Sequence, residues 1–336
     1  MAQLPSRPDL EQARRQAKEL LRAARSGNVE SAARIAAVSD RQTLASAQLA
    51  LACEHGFPSW SQLKREIERR EILDDRDVGR LAALLADDPK LATAPMRRWR
   101  DHRGGPSPLG YTAMLRYDTA GGVWREVPGT GPVARLLLGA GAPVDGEPDD
   151  SETPLITAAS YGDADVARTL IEAGADLEAR AADDAGGVPG GTALLHAAVF
   201  GMTDVVDVLV AAGAQVHGIE EAAAAGDIAD WLDEAPAEAR LRALVMASDH
   251  QRLDVIDQLI AAATPVDGTD PAFGGQPLRT AAGNGRPASV RRLLAHGADP
   301  SLLDDEGRTP LDLSRLGDTP AHREVEAILA APPEVA

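Results

Sequence analysis

From Thr153 to Ala179 the chain reads TPLITAASYGDADVARTLIEAGADLEA, and the same template returns as TALLHAAVFGMTDVVDVLVAAGAQVHG from Thr192 and as QPLRTAAGNGRPASVRRLLAHGADPSL from Gln276. Self-similarity at a period of ~33 residues is the mark of a solenoid. Each part of the template has a mechanical reason. The Thr153 hydroxyl can cap a helix whose first turn accepts Pro154, because that amide has no partner inside the helix. The small residues Ala158, Ala159, Ala197, Ala198, Ala281 and Ala282 let this short inner helix lie close to its neighbours. Glycine at 162, 201 and 285 allows a tight turn, and a second helix then returns antiparallel. Its apolar stripe, Val166, Ala167, Leu170 and Ile171 in the first copy, cannot be buried by one unit and is covered only by stacking.

Composition agrees with thin helical layers. Of 336 residues, 44% are hydrophobic but only 3% aromatic, so the core is shallow and repeated. Lys and Arg total 34 against 52 Asp and Glu, a net charge of -18 that repels polyphosphate and argues against a nucleic-acid partner. The lone Cys53 has no partner for an intramolecular disulfide, and no charged start followed by an apolar run marks a secretory signal. A cytoplasmic location is expected. No apolar run approaches the ~20 residues that a membrane span needs. The seven histidines are scattered without HExxH spacing, so no metal and no cofactor is expected. Cys53 stands where a repeat wants a small buried residue and is expected in the core.

The three segments resemble the ankyrin repeat family, whose consensus TPLHxAA, glycine turn, second helix and GAD they match. The resemblance implies an all-α repeat solenoid of helix-turn-helix units with short β-hairpin loops. Weaker copies are SPLGYTA from Ser107 with ARLLLGAGAPVDG from Ala134, IEEAAAAGDIADWL from Ile219, LDVIDQLIAAATPVDG from Leu253 and TPLDLSRLG from Thr309. Residues 1–70, with QAKELLRAARSGN and HGFPSWSQLK, resemble an N-terminal helical segment found ahead of ankyrin repeats in bacterial proteins, and are read as a cap. Residues 71–106 then form a degenerate repeat and a basic loop. The array proper runs over 107–336, with insertions at 116–131 and 183–191.

Function in repeat proteins sits where units depart from the template. Residues 93–107, TAPMRRWRDHRGGPS, put Arg97, Trp99, Arg100, His102 and Arg103 together in an acidic protein, a pattern suited to clamping an anion or carboxylate, or equally to pinning the loop onto acidic hairpins of its own chain. The insertion at 116–131 adds Tyr117 and Trp124 and reads as either a small satellite core or a lid, with packing favoured because the inter-helix turn lies away from the hairpin tips. The glycine-rich 183–191 reads as a flexible hairpin, since it lacks the Lys and hydroxyl of a phosphate loop.

In the ankyrin pattern the x of TPLHxAA and the residue before the turn glycine face the concave side. Those places hold Tyr111, Thr157, Tyr161, His196, Phe200, Glu221, Met246, His250, Thr280 and Asn284. The resemblance therefore implies a protein-protein interaction module whose groove takes another protein or peptide, basic if the acidic hairpins take part. The alternative is a small-molecule or peptide binder, or an enzyme, in which His196 and Glu221 from successive units act as an acid–base pair.

Overall fold

The computed structural model describes residues 8–96, 106–118, 123–270 and 274–331. The basic cluster Arg97, Trp99, Arg100, His102 and Arg103 lies outside the described residues, as do residues 119–122 of the expected insertion. Contacts divide the chain into two units, one of residues up to 150 with 168–175, the other of 151–167 with those from 176 on.

The first unit begins with α1 (Leu10–Arg25), α2 (Val29–Ala36), α3 (Leu44–Glu54) and α4 (Trp60–Asp75). Asp9, Asn28, Thr43 and Ser59 each accept a backbone amide of the following first turn, a cap that contributes about 1 kcal/mol. Helix α1 packs on α2 and α3, and α3 on α4, around Ala17, Leu20, Ile35, Ala47 and Ala50 on one side and Ala52, Phe57, Leu63 and Ile67 on the other. Next come α5 (Val78–Asp87), a 3-10 turn (Pro89–Ala92), α6 (Pro108–Ala113), the strands β1 (Tyr117–Asp118) and β2 (Val123–Trp124), and α7 (Thr130–Gly139). The insertion at 116–131 thus builds a two-residue antiparallel ribbon pairing Tyr117 with Trp124.

Two expectations for this unit are corrected. The boundary placed at residue 70 falls inside α4, where Arg70 is fully buried beside Glu66 at 3.1 Å. Its neighbour Arg69 donates to the carbonyls of Leu91, Ala94 and Pro95 and to Glu66, which ties the stretch before residue 97 to the helix. Cys53 is exposed rather than in the core. Helix α3 is gripped by α1 and α2 on one side and α4 on another, so its outward stripe is Ala45, Leu49 and Cys53, four residues apart.

The second unit holds α8 (Pro154–Tyr161), α10 (Ala193–Val199), α11 (Thr203–Ala211), α12 (Ile219–Ala225), α13 (Ala237–Asp249), α14 (Leu253–Ala261), α15 (Pro277–Gly283), α16 (Pro287–Ala295), α17 (Pro310–Ser314) and α18 (Pro320–Ala330); α9 (Ala164–Glu172) has residues in both units. Within the second unit the inner helices stack in the order α8, α10, α12, α13, α15, α17, and the outer helices α14, α16 and α18 pack in turn. Thr153, Thr192 and Thr309 cap their inner helices as the template requires. A core of Ala222, Ala243, Leu244, Val255, Ile256, Leu259, Leu278, Val290 and Leu293 runs between the layers, each large aliphatic side chain contributing about 1.5–3 kcal/mol. The all-α repeat architecture expected from the sequence is present. Among the described residues no helix is long and apolar enough to cross a membrane.

The exposure of Cys53 is directly measurable. A thiol reagent added to the folded chain should label its single cysteine without denaturant; labelling that appears only after unfolding would return the side chain to the core.

Candidate binding face

The ten groove candidates divide by burial. Tyr111, Thr157, His196, Glu221 and His250 are buried, Tyr161, Met246 and Thr280 are half-buried, and Phe200 and Asn284 are exposed. The buried five hold scaffold in place. Tyr111 donates its hydroxyl to Asp74 at 2.5 Å inside the first unit. Thr157 lies in the middle of α8, between the buried Ile156 and Ala158.

His196 is the centre of a network that the sequence did not reveal. Its ring, 0% exposed, places Nε2 3.0 Å from the Val188 carbonyl and Nδ1 2.8 Å from Ser160 Oγ. A carbonyl only accepts, so Nε2 carries the proton, and Nδ1 of the neutral ring faces Ser160 Oγ as an acceptor, competing for its single proton with the Ile156 carbonyl at 3.0 Å. Burial holds its pKa below the ordinary 6.5, opposed by the bond to Val188.

The Val188 carbonyl belongs to the 183–191 insertion, and this segment is pinned rather than a flexible hairpin. Ala181 donates to the Gly191 carbonyl at 2.9 Å, Ala182 to Ser151 at 2.8 Å, Gly191 to Val188 at 2.9 Å, and Arg180 to Gly190 at 3.0 Å. Its glycines serve a close approach. A Cβ on Gly187 would stand 2.8 Å from His196 Cε1, and one on Gly191 3.1 Å from His196 Cδ2. Two of the loop's glycines, Gly187 and Gly191, stand where it wraps an imidazole edge.

The other member of the expected acid–base pair is hydrogen-bonded elsewhere. Glu221, 3% exposed, is the third residue of α12 and accepts the His217 amide at 2.5 Å, as a helix-start carboxylate does. Burial raises its pKa, with the His217 amide opposing. No hydrogen bond joins it to His196, because each is held by its own repeat's backbone. His250 likewise bonds Thr203 and the Ala198 carbonyl. Among the described residues no group of His, Cys, Asp and Glu is placed to hold a metal ion.

What stays open to solvent is the end of the inner helices. Tyr161 and Phe200 each stand directly before a turn glycine, Gly162 and Gly201, in successive repeats. Phe200 is 39% exposed, and its ring meets that of His196 at 6.1 Å with a 57° tilt. The buried imidazole therefore fixes an exposed aromatic.

This geometry yields a paired test. Gly187→Ala should cost about 1–3 kcal/mol in denaturant unfolding, since the ring it would strike is held at both nitrogens. Gly186→Ala, which meets nothing within 4 Å, should change stability by no more than about 0.5 kcal/mol. Equal effects from the two would remove the pinned loop from the account.

A family model described as ankyrin repeats (3 copies) matches residues 128–218. The E3 ubiquitin-protein ligase Ufd4 of Drosophila melanogaster is 51% identical over 57 residues, which are 17% of this chain and 2% of that protein. The human Espin-like protein is 38% identical over 60 residues, 18% of this chain and 6% of that protein. The chain thus spans a small part of these relatives. The crystal structure of the human ASB11 ankyrin repeat domain is 20% identical, with 78% of this chain and 97% of that chain covered and a TM-score of 0.36. With the repeated TPL, glycine turn and GAD segments seen to fold as stacked helix pairs, the model match at residues 128–218 means that this chain carries ankyrin repeats.

Proposed function

We propose that the chain is a protein-interaction module whose contact face is the row of inner-helix ends bearing Tyr161, Phe200 and Asn284, with Met246 and Thr280 further back on their helices. Ankyrin repeats are in general protein-interaction modules, and the exposure of Phe200 carries the choice of face. Among the exposed large hydrophobic residues described, the others are Val and Leu; Phe200 alone is aromatic. A ring held on a rigid helix by a buried neighbour loses little freedom on binding, which is what makes aromatic anchors effective. The pinned loop beside His196 adds the exposed carboxylates Asp183 and Asp184. A partner segment with a basic residue flanking an apolar one suits that combination.

The test uses two equally exposed apolar positions. Phe200 lies at the end of inner helix α10 and Val210 on outer helix α11, both 39% exposed. Affinity capture with the wild type, Phe200→Glu and Val210→Glu should show partners held by the wild type and by Val210→Glu. Phe200→Glu should weaken them by about tenfold or more, the scale of an interface hot spot. Partners that survive Phe200→Glu, or that Val210→Glu removes equally, would exclude this face.

A further inference from the structure

The repeat that begins at Ile219 has no regular second helix. After α12 the chain makes only turns, with Ile228, Trp231 and Leu232 packed on the core, before α13 starts at Ala237. At this place the turn that follows α13 bonds directly to the turn that follows α10. His250, 2% exposed, donates Nε2–H to the Ala198 carbonyl at 2.9 Å and accepts the Thr203 hydroxyl on Nδ1 at 3.0 Å. Beside it, Asp249 takes Arg286 Nε at 3.0 Å, and the other end of that guanidinium donates to the Gly201 carbonyl at 2.8 Å. Arg252 reaches the Ala224 carbonyl at 2.7 Å and pairs with Asp207. Gly201 has φ +69°, and a Cβ there would run into the Asp249 carboxylate, so the two turns approach at a point where only glycine fits.

The charges in this cluster balance only one way. Asp249 and Asp207 offset Arg286 and Arg252, so a neutral His250 leaves the seam without net charge. A protonated ring adds one positive charge in a site closed to water, and the nearest relief is for the turn to open. We propose that His250 is an acid-released clasp: neutral, it fastens residues 198–203 to residues 249–252, and its protonation lets that contact open. Burial and both arginines oppose the cation, while Asp249 and the Ala198 carbonyl favour it, and the balance holds the ring below the ordinary 6.5. The folded chain therefore binds fewer protons than the opened one. The contribution is complete above 6.5 and is lost as the pH falls from there toward the folded value, by up to about tenfold in the closed-to-open ratio per pH unit. The clasp stands independently of whether Phe200 meets a partner.

The experiment is amide hydrogen exchange on the full chain at about pH 7.5 and about pH 5.5, a window in which histidine is the ordinary titrating side chain. Rates are corrected for the intrinsic pH dependence of exchange. Peptides spanning 198–206 and 247–254 should lose protection by several-fold, up to about tenfold, at the lower pH, relative to peptides of α16. His250→Gln keeps both bonds without titrating, its amide donating to Ala198 and its carbonyl accepting from Thr203, so it should stay protected at both values. His196 reports separately through peptides of 183–191. Unchanged protection in the wild type, or the same acid loss in His250→Gln, overturns the proposal. Should that variant fold poorly, the wild type still decides by NMR: the His250 ring and the Gly201 amide must titrate with one midpoint, and two different midpoints overturn it.

Discussion

Close approach of consecutive inner helices is the constraint from which the rest of the second unit follows. Ala158 and Ala159 on α8, Ala197 and Ala198 on α10, Ala222 to Ala224 on α12, Ala243 and Ala247 on α13, and Ala281 and Ala282 on α15 are all buried. Side chains of one carbon let backbones come close, so aliphatic residues of the outer helices close the layer behind them. A larger residue at these places separates the layers and opens the stripe that no single repeat can cover.

Close backbones create a second demand. The last carbonyls of an α-helix have no partner within it, and stacking shuts water away from some of them. The side chains that answer come from later in the chain: His250 for Ala198, Arg252 for Ala224, Arg286 for Gly201 and His322 for Gly283. His196 does the same for Val188 in the inserted loop. Polar residues at the turns thus act mainly as caps supplied across repeats. Position in the template alone does not distinguish them from ligand contacts, since a histidine that faces a neighbouring carbonyl and one that faces a groove occupy the same register.

This is why the fold was legible and the site only partly so. Thr153 with Pro154, the alanine pairs and the turn glycines each have a local reason that survives without knowledge of neighbours, and each is found in its expected conformation. Tyr161 and Phe200 stand directly before their turn glycines, half-buried and exposed respectively, and their part in binding belongs to the proposal above. His196, Glu221 and His250 were misread as a set of groove groups because their partners, Val188, His217 and Ala198, are backbone atoms that carry no side-chain signal. The run Glu66 to Arg70 looks like a solvated helix face, yet it is largely buried where the chain from Leu91 to Pro95 presents carbonyls to it. Glycines 187 and 191 look like a flexible loop, when a ring edge accounts for them.

The acid excess is also partly structural in origin. Glu178 accepts the Gln215 amide of the next hairpin at 2.8 Å, Asp267 accepts that of Asp299 at 3.0 Å, and Asp304 accepts Glu306 and Arg308 within its own turn. Carboxylates suit these places because a short acceptor can close a turn onto its amides. The bonds keep Asp299, Asp304 and Asp312 charged to lower pH than a free aspartate, through Ser301, Arg308 and Thr309 respectively. These hairpin acids therefore stay ionised under mild acidity. Glu221, whose pKa burial raises against the opposing His217 amide, is an exception that takes up a proton earlier. The negative field of these carboxylates thus persists under mild acidity, whereas the proposed fastening between the turns at Gly201 and His250 depends on the pH, so surface charge and clasp respond to acid separately.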